Sequence, residues 1–499
     1  MSITTLVKSI QDIMRQDAGV DGDAQRISQL VWLLFLKIFD DKEQEYELDP
    51  TYYSPMPQRL RWRAWAADDE GLTGDELLAF INNELFPTLK ELRVGPGDDP
   101  RGAIVQAVFS DAYNYMKSGT LIRQVINKIN QIDFNSMQER HLFNDLYEKI
   151  LRDLQNAGNA GEYYTPRAVT QFMVEMTDPR LGGVLLDPAT GTAGFLVCAL
   201  DYLGQQVTTA AERATLHAAL RGIEKKPLPH LLAITNLILH GVELPQIERD
   251  NALARQPYRA YTDRDRVDYI LTNPPFGGME EPGVESNFPS QFQTKETADL
   301  FLALIVHLLK EGDKGAIVLP DGSLFGEGVK TRLKEHLLER CNLHTIVRLP
   351  NGVFAPYTDI NTNLLFFTKG EPTREVWYFE HALPTGYKKY SKTRPIRIEE
   401  FDQEKAWWRH RVETASAWRV PIDVIKARNY NLDIKNPSTS DPTHGDPLTL
   451  LAAYRALQAE IATDRAALKA ELLAALGVSA TGDRHWPSDA STTQKGGGQ

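Results

Sequence analysis

Between about residues 184 and 368, short apolar runs alternate with segments of helical period, and this alternation constrains the fold more than any other feature. Residues 184–186, 222–224, 267–272, 315–319, 344–349 and 362–368 read as strands. Residues 192–203, 227–239, 297–310 and 329–340 read as the helices between them. The pattern predicts an α/β fold built on an open, mostly parallel, Rossmann-like sheet. In such sheets ligands bind at the carboxyl ends of the strands.

The flanks differ. Ile27, Leu30, Val31, Leu34 and Ile38 recur at helical spacing, as do Leu142, Leu146, Ile150 and Leu154, so residues 1–155 read as a helical amino-terminal domain. Residues 156–425 carry the strand–helix alternation. Farther on, Leu450, Tyr454, Leu457, Ile461, Leu468 and Leu472 share one face of a helix starting near Pro447, with Asp464 breaking the heptad. Residues 426–478 thus form a carboxyl-terminal helical region, suited to packing on its own body or docking on a partner. The Ser/Thr/Gly-rich stretch 479–499 is expected to be a disordered tail.

Composition removes several classes. The longest apolar run, 30–39, is broken by Lys37 and is too short to cross a bilayer, so no membrane role and a cytoplasmic location are expected. The two cysteines, Cys198 and Cys341, form no CxxC or Cys/His cluster, which argues against a disulfide scaffold or a metal site. A net charge of −12 does not suit a protein that grips DNA alone, because phosphate contacts carry most of that affinity. Basic clusters at Lys388–Arg397 and Arg409–Arg411 are candidate phosphate contacts or solvated faces.

Asn273-Pro274-Pro275-Phe276 closes the strand 267–272. Two prolines donate no backbone hydrogen bonds and hold the chain extended, so they end the strand in a stiff turn. The turn offers one amide, one free carbonyl and one ring. The Asn273 oxygen and the Pro274 carbonyl can each accept one hydrogen of an exocyclic amino group while Phe276 stacks on the planar ring that carries it.

Upstream, Asp187-Pro-Ala-Thr-Gly191-Thr192-Ala193-Gly194-Phe195 follows a strand and opens a helix. Its glycines allow close backbone approach to a ligand, but it lacks the GxGxxG pattern and the P-loop Lys. The Asp187 carboxylate suits an ammonium rather than a phosphate. Glu224 ends the next strand, where an acid binds ribose hydroxyls. Asp250, beside Asn251, can accept from an adenine amino group. Ammonium, ribose and adenine without phosphate describe S-adenosylmethionine. Before the first strand, Thr165-Pro166 reads as a helix start, Thr as N-cap and Pro at the first position. On residue type alone, Tyr163 and Tyr164 read as packing residues.

In this order, Gly161-Glu162-Tyr163-Tyr164-Thr165-Pro166-Arg167, the Asp187–Phe195 segment and Asn273–Phe276 resemble motifs X, I and IV of gamma-class adenine-N6 DNA methyltransferases. The opening helical stretch with 31–39, the segments 349–354 and 361–367, and Asn429–Asp433 resemble the modification (M) subunit of type I restriction–modification systems. The resemblance covers about residues 1–475. It implies that Glu162, Tyr163, Tyr164, Thr165, Pro166 and Arg167 line the methionine side of S-adenosylmethionine, with Thr165 in direct contact. Asp187 and Gly191, Thr192, Ala193, Gly194 and Phe195 would cradle the methionine moiety, Glu224 the ribose, Asp250 and Asn251 the adenine. Asn273, Pro274 and Phe276 would hold the target base.

The implied partners are double-stranded DNA, a specificity (S) subunit that reads the sequence, a restriction (R) subunit and a second copy of this chain in an M2S assembly. The implied reaction is direct methyl transfer to N6 of a flipped-out adenine, with no covalent enzyme intermediate. Two other readings stay open: methylation of a protein glutamine or RNA guanine amino group, and a cofactor-binding scaffold without catalysis.

Overall fold

The computed structural model describes residues 3–95, 97–135, 147, 151, 164–438 and 447–475. The chain divides into two compact units, Met1–Asn436 and Pro437–Gln499.

In the first unit the amino-terminal segment is helical. Its longest described helix, Asp23–Tyr46, buries an unbroken run from Leu30 to Leu36. A helix apolar on most sides must be enclosed by neighbours. Trp32 packs edge-to-face on Phe86 with ring centroids 5.0 Å apart. Arg123, itself buried, is held by the backbone carbonyls of Leu72, Ala66, Asp68 and Trp65. The expected helix through Leu142, Leu146 and Leu154 lies outside the described residues except near Tyr147 and Leu151.

Among the described residues nine strands form one sheet in the order β3-β2-β1-β4-β5-β7-β6-β8-β9. They are β1 Leu185–Asp187, β2 Leu220–Glu224, β3 Gln246–Arg249, β4 Val267–Thr272, β5 Leu309–Pro320, β6 Cys341–Arg348, β7 Thr362–Lys369, β8 Glu375–Glu380 and β9 Ala417–Pro421. The first five in spatial order run parallel. Antiparallel β7 is inserted between β5 and β6, and β9 closes the edge antiparallel to β8. The α/β class expected from the alternation is therefore present, with a mixed far half. β3, β8 and β9 were not legible in sequence: β3 is four residues with an exposed–buried–exposed start, and β8 and β9 lie among charged residues.

β4 is central and packed on both faces, which accounts for its apolar run. Its one carboxylate, Asp268, is matched by Lys310 Nζ at 2.8 Å and by the Val184 amide at 2.8 Å. One hydrophobic core covers one face of the sheet and runs without a break into the helical segment, from Leu6 through Ala417. A second core fills the opposite face. The carboxyl ends of β1, β2, β3 and β4 consequently lie side by side on a rigid base.

In the second unit, the helix Pro447–Ala475 presents Leu451, Tyr454, Leu457, Ile461, Leu468 and Leu472 to solvent. Among the described residues no helix is long and apolar enough to cross a membrane.

Candidate active site

β1 ends on Asp187, whose carboxylate is fully buried and accepts from Thr272 Oγ1 at 2.8 Å and from the Ala189 amide at 3.1 Å. Burial pushes this carboxyl up to about 7; the Thr272 and Ala189 bonds pull the other way, and the charge of Glu224 adds to the rise. A buried acid poised near neutrality is matched to a cationic group that would restore its charge.

The turn after Asp187 needs two left-handed residues, Gly191 at φ 55° and Ala193 at φ 65°. Ala193 is an L-residue in a region that disfavours a Cβ, so it holds local strain of order 1 kcal/mol beside the site. The helix Gly194–Gly204 starts there. The Thr192 carbonyl is pinned by Asn236 Nδ2 at 2.9 Å, and Phe195 is buried.

Glu224, at the end of β2, accepts from the Gly191 amide at 2.8 Å and the Lys226 amide at 2.7 Å, one on each oxygen. The carboxylate therefore shapes the Gly-rich turn as well as standing at the strand end. Asp250 follows β3; its oxygen caps the Asn251 amide and its other oxygen lies 3.6 Å from Arg255 Nε. The Asn251 side chain is occupied on both ends, donating to Glu280 at 3.1 Å and accepting from the Leu253 amide at 3.0 Å.

The helix expected to open at Thr165 begins instead at Arg167, with Pro166 as its N-cap residue. Val169 and Thr170 amides reach the Pro166 carbonyl, so the Thr165 hydroxyl is not spent on the helix. It accepts from Asn273 Nδ2 at 2.9 Å. Arg167 turns onto the following helix, pairing with Asp201 at 3.0 Å. Tyr164 is buried. Glu162 and Tyr163 lie outside the described residues.

Asn273 thus has a held nitrogen and a buried Oδ1 with no hydrogen-bond partner among the described residues. An acceptor in that state costs about 1–3 kcal/mol, which an arriving donor offsets. No donor among the described residues reaches the Pro274 carbonyl. Phe276 is half-buried and meets Phe354 edge-to-face at 5.7 Å. Thr165, Asp187, Gly191, Gly194, Phe195 and Asn273 converge on one cleft enclosing about 20 Å³.

Sequence reading missed four supporting residues. Thr272, Phe354 and Asn236 act across the fold, through contacts that carry no local signal. Glu280 is the fourth: its carboxylate takes Asn251 Nδ2 at 3.1 Å, Lys225 Nζ at 3.2 Å and Thr297 Oγ1 at 3.3 Å. It ties the ends of β2 and β3 to the loop that follows Phe276.

The sheet, with its cleft at the strand ends, is that of a Rossmann-type methyltransferase. A profile of the N-6 DNA methylase family matches residues 138–446, and a profile of the HsdM N-terminal domain matches residues 3–129. The chain is 59% identical to the type I restriction enzyme EcoEI methylase subunit of Escherichia coli, over 95% of this chain and 99% of that protein. It resembles the crystal structure of a modification subunit of a putative type I restriction enzyme from Vibrio vulnificus, with 45% identity, a TM-score of 0.78, and coverage of 88% of this chain and 97% of that one. A structure described for complex assembly and conformational transition of the type I restriction–modification system matches at 37% identity and a TM-score of 0.79, over 94% of this chain and 98% of that one. The chain belongs to the methylase subunits of type I restriction enzymes. It is the modification subunit of such a system, an adenine-specific DNA methyltransferase of a family whose methyl donor is S-adenosylmethionine.

Proposed function

We propose that Asn273, Pro274 and Phe276 hold the target adenine, and that S-adenosylmethionine lies across the ends of β1, β2 and β3. The observation that carries this reading is the Asn273 amide: its nitrogen donates to Thr165, and its buried oxygen has no hydrogen-bond partner among the described residues. That oxygen and the Pro274 carbonyl accept the two hydrogens of the adenine amino group. Hydrogen bonds from both amino hydrogens to these acceptors draw the nitrogen from planar toward tetrahedral geometry, which takes its lone pair out of conjugation with the ring. As it takes the methyl group the methyl–sulfur bond breaks, and the methylated nitrogen gives up one proton to solvent. Phe276 stacks on the extruded base, offsetting part of the unstacking cost of a few kcal/mol. Bound S-adenosylmethionine supplies the electrophilic methyl group. Positive charge developing on the adenine nitrogen is met by the two acceptor dipoles, already in place before reaction.

The cofactor fit rests on the same cleft. Asp187 receives the methionine ammonium and regains its charge, while the turn Gly191, Thr192, Ala193, Gly194 and Phe195 gives close backbone approach. The enclosed 20 Å³ is only the depth of the cleft. A nucleoside-sized ligand needs roughly 300 Å³ or more, so its sugar and base lie outward along the strand ends, at Glu224 and Asp250. Asn251 contributes by position, through Glu280, because both ends of its amide are engaged. Tyr164 and Pro166 back Thr165, and Glu162, Tyr163 and Arg167 complete the segment by resemblance.

Proposed partners are double-stranded DNA, a specificity subunit, a restriction subunit and a second M chain in an M2S assembly. The exposed apolar face of Pro447–Ala475 is the docking element for the specificity subunit. The test of the site is Asn273→Ala. It is expected to retain S-adenosylmethionine binding and to lose methylation of a cognate duplex; full activity overturns the assignment.

A further inference from the structure

A second cavity, of about 310 Å³, opens on the opposite edge of the sheet and is lined by Tyr258, Arg266, His307, His336, Arg340 and Lys369. Arg266 immediately precedes β4 and Asn273 immediately follows it, so the strand separates this cavity from the base clamp by roughly 20 Å. Topology gathers its cations there. Arg340 ends a helix just before β6, and Lys369 is the last residue of antiparallel β7, which returns to the same edge.

The charge in the cavity is unbalanced. Two arginines and one lysine face two carboxylates in ion-pair range, Asp263 at 2.8 Å from Arg266 and Glu311 at 3.8 Å from Arg340. Lys369 is only 4% exposed and reaches the carbonyls of Leu309 at 2.6 Å and His307 at 3.3 Å rather than an acid. Burial, and then the neighbouring cations, hold Lys369 below the usual ammonium range and His336 below the usual imidazole range. Crowded cations of this kind are relieved by an anion. Two guanidinium forks and an ammonium suit the oxygens of a phosphate group. The volume lies at the lower end for small-molecule sites and exceeds a bare phosphate. The near-complete burial of Lys369 favours a ligand that enters the cavity over a duplex backbone lying on the surface.

We propose that this cavity binds a small phosphate-bearing anion of diphosphate size, at a site separate from methyl transfer. The probe is pyrophosphate, titrated calorimetrically into the full-length protein at fixed ionic strength, with chloride as control. One saturable site is expected, weakened at least about tenfold in the double variant Arg266→Gln/Arg340→Gln, with S-adenosylmethionine affinity unchanged. If the double variant is unfolded, Arg340→Glu alone, on a side chain 59% exposed, must also weaken binding. Absence of saturable binding to the wild type, equal affinity in the variants, or displacement of pyrophosphate by a short duplex would each overturn the proposal.

Discussion

The Thr165 hydroxyl accepts a hydrogen bond from Asn273 Nδ2 at 2.9 Å, across 108 residues of sequence, and so fixes which end of the amide is engaged as donor and which is left to accept. An amide is nearly symmetric in shape. Without that acceptor, nothing in the steric fit alone tells oxygen from nitrogen.

Thr165→Val keeps the shape and removes the acceptor. Methyl transfer at saturating cofactor and DNA is expected to fall about tenfold, the worth of one oriented hydrogen bond of about 1.4 kcal/mol. Thr165→Ser should restore most of the rate. A valine variant with wild-type kcat would show that Thr165 does not orient Asn273.

Asp187 predicts a pH dependence of cofactor binding. Its carboxyl is pushed up to about 7, and it must be ionised to pair with an ammonium. Affinity for S-adenosylmethionine should therefore rise from pH 6 toward pH 7 and level off above, by up to about tenfold per unit. The sign for the ligand-free protein is opposite. The unfolded chain releases this proton near 3.8 and the folded one near 7, so this group's contribution to stability falls as pH rises between those values. Calorimetry across pH checks the first, and Asp187→Asn should bind weakly with a flat profile.

How far these features are legible in sequence depends on range. β4, the helices Pro227–Leu239 and Val329–Arg340, and the strand-end places of Asp187, Glu224 and Asn273 follow from local periodicity and turn chemistry, and the structure has them there. The helix start at Thr165 was misread because a local N-cap rule competes with a bond to a residue 108 positions away. Ala193 at φ 65° has no sequence signal, since only the surrounding turn imposes it. The antiparallel insertion of β7 is likewise a matter of pairing rather than of its own residues.

Glu280 links the cofactor side of the cleft to the base clamp. It joins Asn251 and Lys225 to the loop four residues past Phe276, with the Thr297 hydroxyl on its second oxygen. Binding of DNA and of S-adenosylmethionine should therefore reinforce one another. Glu280→Gln weakens the charged tie to Lys225 while keeping the side chain's size. It is expected to reduce the tightening of cofactor affinity by a cognate duplex several-fold, consistent with about 1 kcal/mol of coupling. The measurement is cofactor affinity with and without duplex; an unchanged ratio removes the linkage.

The helix Pro447–Ala475 carries the last prediction. Leu457 and Leu468 are 56% and 63% exposed, which leaves apolar surface in water along one helix face. Burying such side chains against a partner is worth about 1.5–3 kcal/mol each. Leu457→Asp/Leu468→Asp puts charges on that face, and because both positions are exposed the substitution should cost the chain little stability. Co-expressed with the proposed specificity subunit, the double variant is expected to lose co-purification while S-adenosylmethionine binding by the isolated chain stays unchanged. Retained co-purification would move the docking surface elsewhere, and loss of cofactor binding would show that the helix supports the catalytic unit rather than the assembly.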